Sequence, residues 1–230
     1  MTPTDPTRLD GLRVLLTHAD VFMGPVLQEV LKERGADVVA DTNPLLEPEA
    51  PARVVEAAGR IDVLLVHLAV PAPSTRIEDV DETEWRHMFA SMVDPLPRLA
   101  RALLPQMKAR GTGKILVIGS ASALRGMKRA SAYSAARGAQ LAWVQSAGVE
   151  LAPLGIQVNA VAQNFVDNPT YFPPEVQALP AFKERLRREV PLGRLVSARE
   201  DAYLCAYLCS PAADCFVGQA VPLSGGWAVR

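Results

Sequence analysis

Cysteine is scarce in this chain of 230 residues. There are three, Cys205, Cys209 and Cys215, all near the C-terminus. Cys205 and Cys209 stand four apart in an apolar helical run, DAYLCAYLC, which puts them on one helix face as small core residues. No zinc-type spacing of further ligands follows them, so no metal site is expected. An excess of either charge is missing too: the formal net charge is −1, which excludes the electrostatic footprint of a nucleic-acid or anionic-membrane binder. No apolar run approaches the roughly 20 residues of a membrane span. The N-terminus, MTPTDPTRLD, lacks the apolar centre of a signal peptide. It reads as a disordered lead-in, residues 1–10, to a cytoplasmic protein. Repeats, low-complexity tracts and a convincing domain boundary are absent, which leaves 11–230 as one domain.

Hydrophobic residues make up 49% of the chain and charged residues 21%, an ordinary globular balance with enough apolar material for a buried core. Short continuous apolar runs recur: LRVLLT at 12–17, DVVAD at 37–41, IDVLLVH at 61–67, KILVIG at 114–119, QVNAVA at 157–162 and a last strand at 220–223. Runs of this kind suit strands buried on both faces. Helical periods lie between them, over 26–34, 52–60, 82–108, 132–151, 181–189 and 200–210. Pro95 and Pro97 predict a kink in the long stretch 82–108. Alternating strand and helix predicts an α/β fold: a doubly wound, mostly parallel sheet with helices on both faces. Ligands in such sheets bind beyond the carboxyl ends of the strands. Thr17, His67, Ser120 and Ala162 all occupy such ends and are expected around one cleft.

The stretch 114–137, KILVIGSASALRGMKRASAYSAAR, carries the chemistry. Ser120 ends a buried strand, and Tyr133 and Arg137 share a face in the first turns of the next helix. A phenol is a poor base at neutral pH unless its ionised form is stabilised. Two features favour the phenolate here: a permanent guanidinium charge one turn away, and the positive end of the helix dipole. Ser120 can hold a substrate hydroxyl in line with the phenolate oxygen. Together the three make a general base for an alcohol or, in reverse, a general acid for an alkoxide.

From about Leu12 to Trp227 the chain resembles the short-chain dehydrogenase/reductase superfamily, on this Ser–Tyr pair, on IDVLLV before His67 and on the closing PLGRLVSAREDAYLCAYLCSPAADCFVGQAVPLSGGW. The resemblance implies a Rossmann-like fold. The superfamily places lysine four residues after the tyrosine, and here that residue is Arg137. Its T-G-x-x-x-G-x-G turn, which cradles the cofactor pyrophosphate, is replaced by Thr17-His18-Ala19-Asp20-Val21-Phe22-Met23-Gly24. Two of three glycines are gone, and Phe22 stands where a cofactor would lie. Its N-N-A-G motif is also missing, with His67-Leu68-Ala69-Val70 in its place. Only about twenty residues separate the second strand from Ile61, too few for the usual extra helix–strand unit beside an adenine pocket. Asp41 then reads as a remnant or a surface residue.

These departures are similar to one branch, the halohydrin (haloalcohol) dehalogenases. That branch carries S-x12-Y-x3-R, matched by Ser120, Tyr133 and Arg137, and T-x4-F/Y-x-G, matched by Thr17, Phe22 and Gly24. The resemblance implies a cofactor-independent lyase that turns vicinal halohydrins into epoxides, halide and a proton, and that opens epoxides with azide, cyanide or nitrite. It implies no cofactor and a halide-and-substrate group of Thr17, Phe22, Gln163, Asn164, Phe165, Val166, Tyr171 and Phe172. Tyr171, Phe172 and Pro173 would form a lid or substrate wall, and Asp167 would turn to solvent. His18, His67 and His87 read as surface or hydrogen-bonding residues, and the three tryptophans as packing or interface residues. Helices in 82–108 and 132–151 match those that build homotetramers in the superfamily. Only three residues follow Trp227, so a long tail reaching a neighbouring subunit is not expected. The alternative reading is an NAD(P)-dependent short-chain oxidoreductase with a degenerate cofactor loop.

Overall fold

The computed structural model describes residues 5–68 and 70–229. Residues 1–4 of the expected lead-in and Ala69 of the expected His67–Val70 stretch lie outside them. Six strands form one sheet: Arg13–Leu16 (β1), Asp37–Ala40 (β2), Val63–His67 (β3), Gly113–Ser120 (β4), Ile156–Gln163 (β5) and Ala220–Leu223 (β6). Their order is β2-β1-β3-β4-β5-β6, and every pair is parallel rather than mostly so. Eight helices connect and cover them: Gly24–Glu33 (α1), Ala50–Ala58 (α2), Glu82–Met92 (α3), Pro95–Arg110 (α4), Ser131–Leu151 (α5), Pro174–Ala178 (α6), Pro180–Glu189 (α7) and Ala198–Cys209 (α8).

All residues of β3 and β4 are buried, which is why they read as unbroken apolar runs instead of alternating ones. Period two still divides their side chains between two cores. Leu64, Val66, Ile115 and Val117 pack with Val54 of α2, Leu99 and Leu103 of α4, and Leu141 and Val144 of α5. Val63, Leu65, Leu116 and Ile118 face α1 and α8, against Leu27, Val30, Ala202, Cys205 and Cys209. Burial pushes the Cys209 thiol up to about 12 and that of Cys205 well above its usual range, so both behave as core residues. Among the described residues no cluster of His, Cys, Asp and Glu is arranged to hold a metal. No helix among them is long and apolar enough to cross a membrane.

Three expectations change. The stretch 82–108 is two helices, not one kinked helix. α3 closes at Val93, and Pro95 and Pro97 occupy the first turn of α4, where their missing N–H groups would have lacked partners anyway. The expected lead-in is ordered from residue 5. Leu9 is fully buried, its N–H donates to the Arg34 carbonyl, and Ala212 N–H donates to the Pro6 carbonyl. Asp41 is buried, not a surface residue: its carbonyl accepts from Ala19 N–H, and its carboxylate accepts from Asn43, so it fixes the turn that carries Phe22.

Strand order reverses between β1 and β3, the position where such sheets open a crevice for ligands. Only α2 lies between β2 and β3, as the short 41–61 connection predicted, and β2 is the sheet edge.

Candidate active site

Ser120 ends β4 in extended conformation, and its Oγ accepts the N–H of Ser122 at 3.2 Å, which turns the chain into a short 3-10 segment. That bond uses the acceptor side of the hydroxyl and leaves its proton free to donate. After the loop 124–130 the chain enters α5, with Tyr133 at its third position and Arg137 one turn on. Both side chains are buried. The guanidinium carbon of Arg137 sits 5.2 Å from the Tyr133 ring centroid. Arg137 Nη1 donates to the carbonyl of Ile118 at 2.9 Å and to Gln140 Oε1 at 3.0 Å, and Nη2 donates to the carbonyl of Leu68 at 3.3 Å. Gln140 is itself fixed by a 2.6 Å bond from its Nε2 to the Met92 carbonyl. The cation is thus held by neutral acceptors. Among the described residues no carboxylate pairs with it, so its charge stays available to a phenolate beside it.

A cavity of about 560 Å³ opens beyond the carboxyl ends of β3, β4 and β5. Of the expected residues it is lined by Ser120, Tyr133, Arg137, Phe22, Gln163, Asn164, Phe165, Val166, Tyr171 and Phe172. Thr17 is the exception and is corrected here. It is fully buried away from the lining, its Oγ1 donating to the His67 carbonyl and accepting the His67 N–H, both at 2.9 Å. Thr17 therefore sews β1 to β3 at the switch point and is not on the cavity lining. Ala162, also expected at the cleft, is a core residue.

Phe22 lies over that seam. Its φ of +49° is left-handed, unusual for a bulky residue. The turn needs Gly24, because a Cβ there would come within 2.5 Å of the Ala19 carbonyl. The Phe22 ring meets His67 edge-on at 6.5 Å and Tyr171 at 5.5 Å. A dinucleotide lying along the carboxyl edge of the sheet would have to pass through this aromatic wall and would find no glycine cradle. The residues present do not fit a nicotinamide cofactor. His67 lines the cavity with its Nδ1 3.1 Å from the His18 carbonyl. Burial holds it well below its ordinary value, at about 3, so it is neutral, a hydrogen-bonding residue as expected.

The loop after β5 presents the other wall. Gln163 pairs with Ser120 in the sheet register, and its Nε2 donates to Asp201 Oδ2 of α8 at 2.6 Å. Asp201 is fully buried, and burial pushes its carboxyl up to about 7. Phe165 takes a φ of +52°, and its N–H is capped by Asn164 Oδ1 at 2.8 Å. Val166 is buried and lines the cavity, yet its N–H has no acceptor among the described residues. Asp167 points away from the cavity, half-buried and bonded by Gln177 at 2.7 Å. Tyr171 bridges two walls: its hydroxyl accepts the Ala72 N–H at 2.9 Å and also reaches Tyr133. Burial first, and then the negative charge Tyr133 can carry, push the Tyr171 hydroxyl up to about 12, so it remains a donor. Sequence reasoning missed Arg125, Lys128, Arg185, Glu189 and Trp227 as lining residues. The basic run RGMKR between Ser120 and Tyr133 was the available signal for the first two.

A parallel sheet with a serine, tyrosine and arginine cluster at its carboxyl edge defines the class, and the family follows from the whole chain. A family model described as enoyl-(acyl carrier protein) reductase matches residues 10–228, and the chain belongs to that family, within the short-chain dehydrogenase/reductase superfamily. It is similar to the 2-keto-3-deoxy-L-fuconate dehydrogenase of Xanthomonas campestris, 30% identical over 98% of this chain and 83% of the relative. The 3-oxoacyl-(acyl-carrier-protein) reductase of Vibrio cholerae is 26% identical over 96% and 98%. Among solved structures, a protein titled a dehalogenation enzyme superposes with a TM-score of 0.89 at 31% identity, over 96% of this chain and 99% of its own. A gluconate 5-dehydrogenase from Burkholderia cenocepacia, solved with NADP and tartrate, has a TM-score of 0.87 at 24% identity, over 97% of each chain, and shares the fold.

Proposed function

We propose that this enzyme is a cofactor-independent halohydrin dehalogenase, a carbon–halide lyase that also opens epoxides with small anions. The observation that carries the reading is Phe22, its ring against His67 at the β1/β3 crevice, on the lining of the same cavity as Ser120, Tyr133 and Arg137. The alcohol acid–base machinery is present where a hydride carrier finds no room. The likeness to the dehalogenation enzyme adds support.

In the proposed mechanism the Ser120 hydroxyl donates to the substrate oxygen. Tyr133, as phenolate favoured by Arg137, takes the hydroxyl proton. The alkoxide forms a carbon–oxygen bond to the neighbouring carbon, and the carbon–halogen bond breaks with its electron pair leaving on the halide. The proton then passes from Tyr133 to water. The halide needs donors that strengthen as its charge develops. The unpaired Val166 N–H supplies one, and the Phe165 N–H supplies another once Asn164 Oδ1 yields it. Aromatic rings of Phe22, Phe165, Tyr171 and Phe172 limit water around the leaving group.

The test is halide release from 1,3-dichloro-2-propanol or a vicinal bromohydrin with no cofactor added. Tyr133→Phe should lower it by roughly 10²–10⁴-fold, the usual share of a general base. Release that survives this substitution unchanged would sink the mechanism. The second reading, a nicotinamide-dependent reductase, is favoured by the names of the sequence relatives. It requires NADH or NADPH to bind, seen as a change in nicotinamide fluorescence, and no binding at millimolar cofactor removes it. We further propose a cytoplasmic homotetramer. Trp85 of α3 and Val149 of α5, both exposed large apolar residues on the helices concerned, support the assembly.

A further inference from the structure

The reacting unit of a halohydrin is two carbons, an oxygen and a halide, whereas the cavity measures about 560 Å³, a volume that holds far larger ligands. On its lining Ser120, Tyr133, Phe165 and Val166 are buried, whereas Arg125 and Lys128 of the loop 124–130 and Arg185 of α7 are exposed, and the charges it carries are one-sided. Four cationic side chains line the cavity, Arg125, Lys128, Arg137 and Arg185, against one carboxylate, Glu189. The chain as a whole carries −1, so this bias is local. It is written in the sequence as well, where no acidic residue occurs between Asp94 and Glu150.

Existing pairs do not cancel this charge. Glu189 is shared between Arg185 at 3.1 Å and Arg188 at 3.1 Å, so that trio still carries a surplus positive charge. Lys128 has neither ion pair nor hydrogen bond among the described residues. Arg125 lies 4.8 Å over the Trp227 ring and bonds only to that residue's carbonyl. Arg185 lies 5.3 Å over Phe165, and the two rings stand 6.1 Å apart. Stacking uses the face of a guanidinium and leaves N–H groups on its edge, the arrangement that meets a planar carboxylate. Two guanidiniums and one free ammonium therefore lie at the solvent-exposed part of a lining that also holds Phe165, Phe172 and Trp227.

We propose that the substrate is a halohydrin or epoxide that carries a carboxylate, the acid group seated among Arg125, Lys128 and Arg185 while the reacting carbons lie at Ser120 and Tyr133. This rests on the dehalogenase reading and adds the substrate class. Anchoring the acid at one end fixes which carbon faces the halide loop, so the seat orients as well as attracts.

The test compares 4-chloro-3-hydroxybutanoate with its methyl ester, which share a carbon chain and differ in charge. At low ionic strength kcat/KM for halide release should favour the acid by about tenfold or more, mainly through KM. The ratio should shrink toward one in the double variant Lys128→Gln, Arg185→Gln, and in about 0.5 M salt. Calorimetric titration with 3-hydroxybutanoate and its methyl ester, which carry no halogen, separates the two claims. Acid binding without halide release from any substrate keeps the anion seat and ends the dehalogenase reading. Halide release with equal or better use of the ester overturns the seat and leaves that reading standing. Neither halide release nor acid binding overturns both.

Discussion

At the scale of single residues, two buried ionisable groups pull stability in opposite directions with pH. The Asp201 carboxyl is pushed by burial from 3.8 to about 7, so between those values unfolding releases a proton. Stability from this group is fully present below pH 3.8 and is lost as pH rises through about 7. His67 is pushed from 6.5 to about 3, so between those values unfolding takes up a proton. Its contribution is present above pH 6.5 and is lost as pH falls through about 3. Each slope is about 1.4 kcal/mol per pH unit, and in the shared window from 3.8 to 6.5 they oppose. Asp201→Asn removes one slope. The variant should gain stability over the wild type as pH rises across that window, by up to roughly 3 kcal/mol, measured by urea denaturation. Parallel curves for the two proteins would refute the assignment. Asp201 also bonds Gln163, so the site's second wall shares a support with the core.

At the scale of elements, the decisive piece is the turn between β1 and α1. Gly24 is required there by contact rather than by φ, since a Cβ would press into the Ala19 backbone at 2.5 Å. The Ala19 N–H is in turn bonded to the Asp41 carbonyl, so the turn has little freedom to shift. Gly24→Ala should therefore destabilise the protein by about 1–3 kcal/mol. It should also lower halide release by displacing Phe22, whereas Gly126→Ala, where a Cβ would meet nothing within 4 Å, should leave stability unchanged. Comparing thermal midpoints and initial rates for the two variants checks this, and an unperturbed Gly24→Ala would show that the turn is pliable. The break between α3 and α4 teaches a related lesson. Pro95 and Pro97, two positions apart, predict a kink from sequence, whereas they form the first turn of a new helix. The break also leaves the carbonyl of wholly buried Met92, the last residue of α3, to Gln140 and, through it, to Arg137.

At the scale of the whole molecule, charge is balanced overall, yet the cavity lining carries four basic side chains against one carboxylate. Assembly is the other property at this scale. Trp85 stacks on Phe89 at 4.9 Å yet remains 41% exposed, and Val149 is 72% exposed, on helices that face away from the sheet's other layer. Burying them between copies would remove that apolar area from water. Sedimentation should give four times the chain mass, and Val149→Glu with Trp85→Glu should lower it. A monomeric wild type would end the tetramer proposal.

The amino-acid sequence by itself determined the six apolar strands, their alternation with helices, and the Ser120–Tyr133–Arg137 spacing, because these depend on local periods and on one strand-to-helix step. It also exposed the lost glycines and the short connection before β3. Only the tertiary structure decided the fate of Thr17, which the motif grouped with the ligand contacts and the fold turns into a seam with His67. The same holds for Arg137's carbonyl clamp, for Asp201 beneath Gln163, and for Arg185 beside Phe165, whose partners lie far along the chain. The physical reason is one of range. Periodicity reports which face of an element is apolar, while a hydrogen bond or a stacked cation depends on which distant segment the sheet order brings alongside.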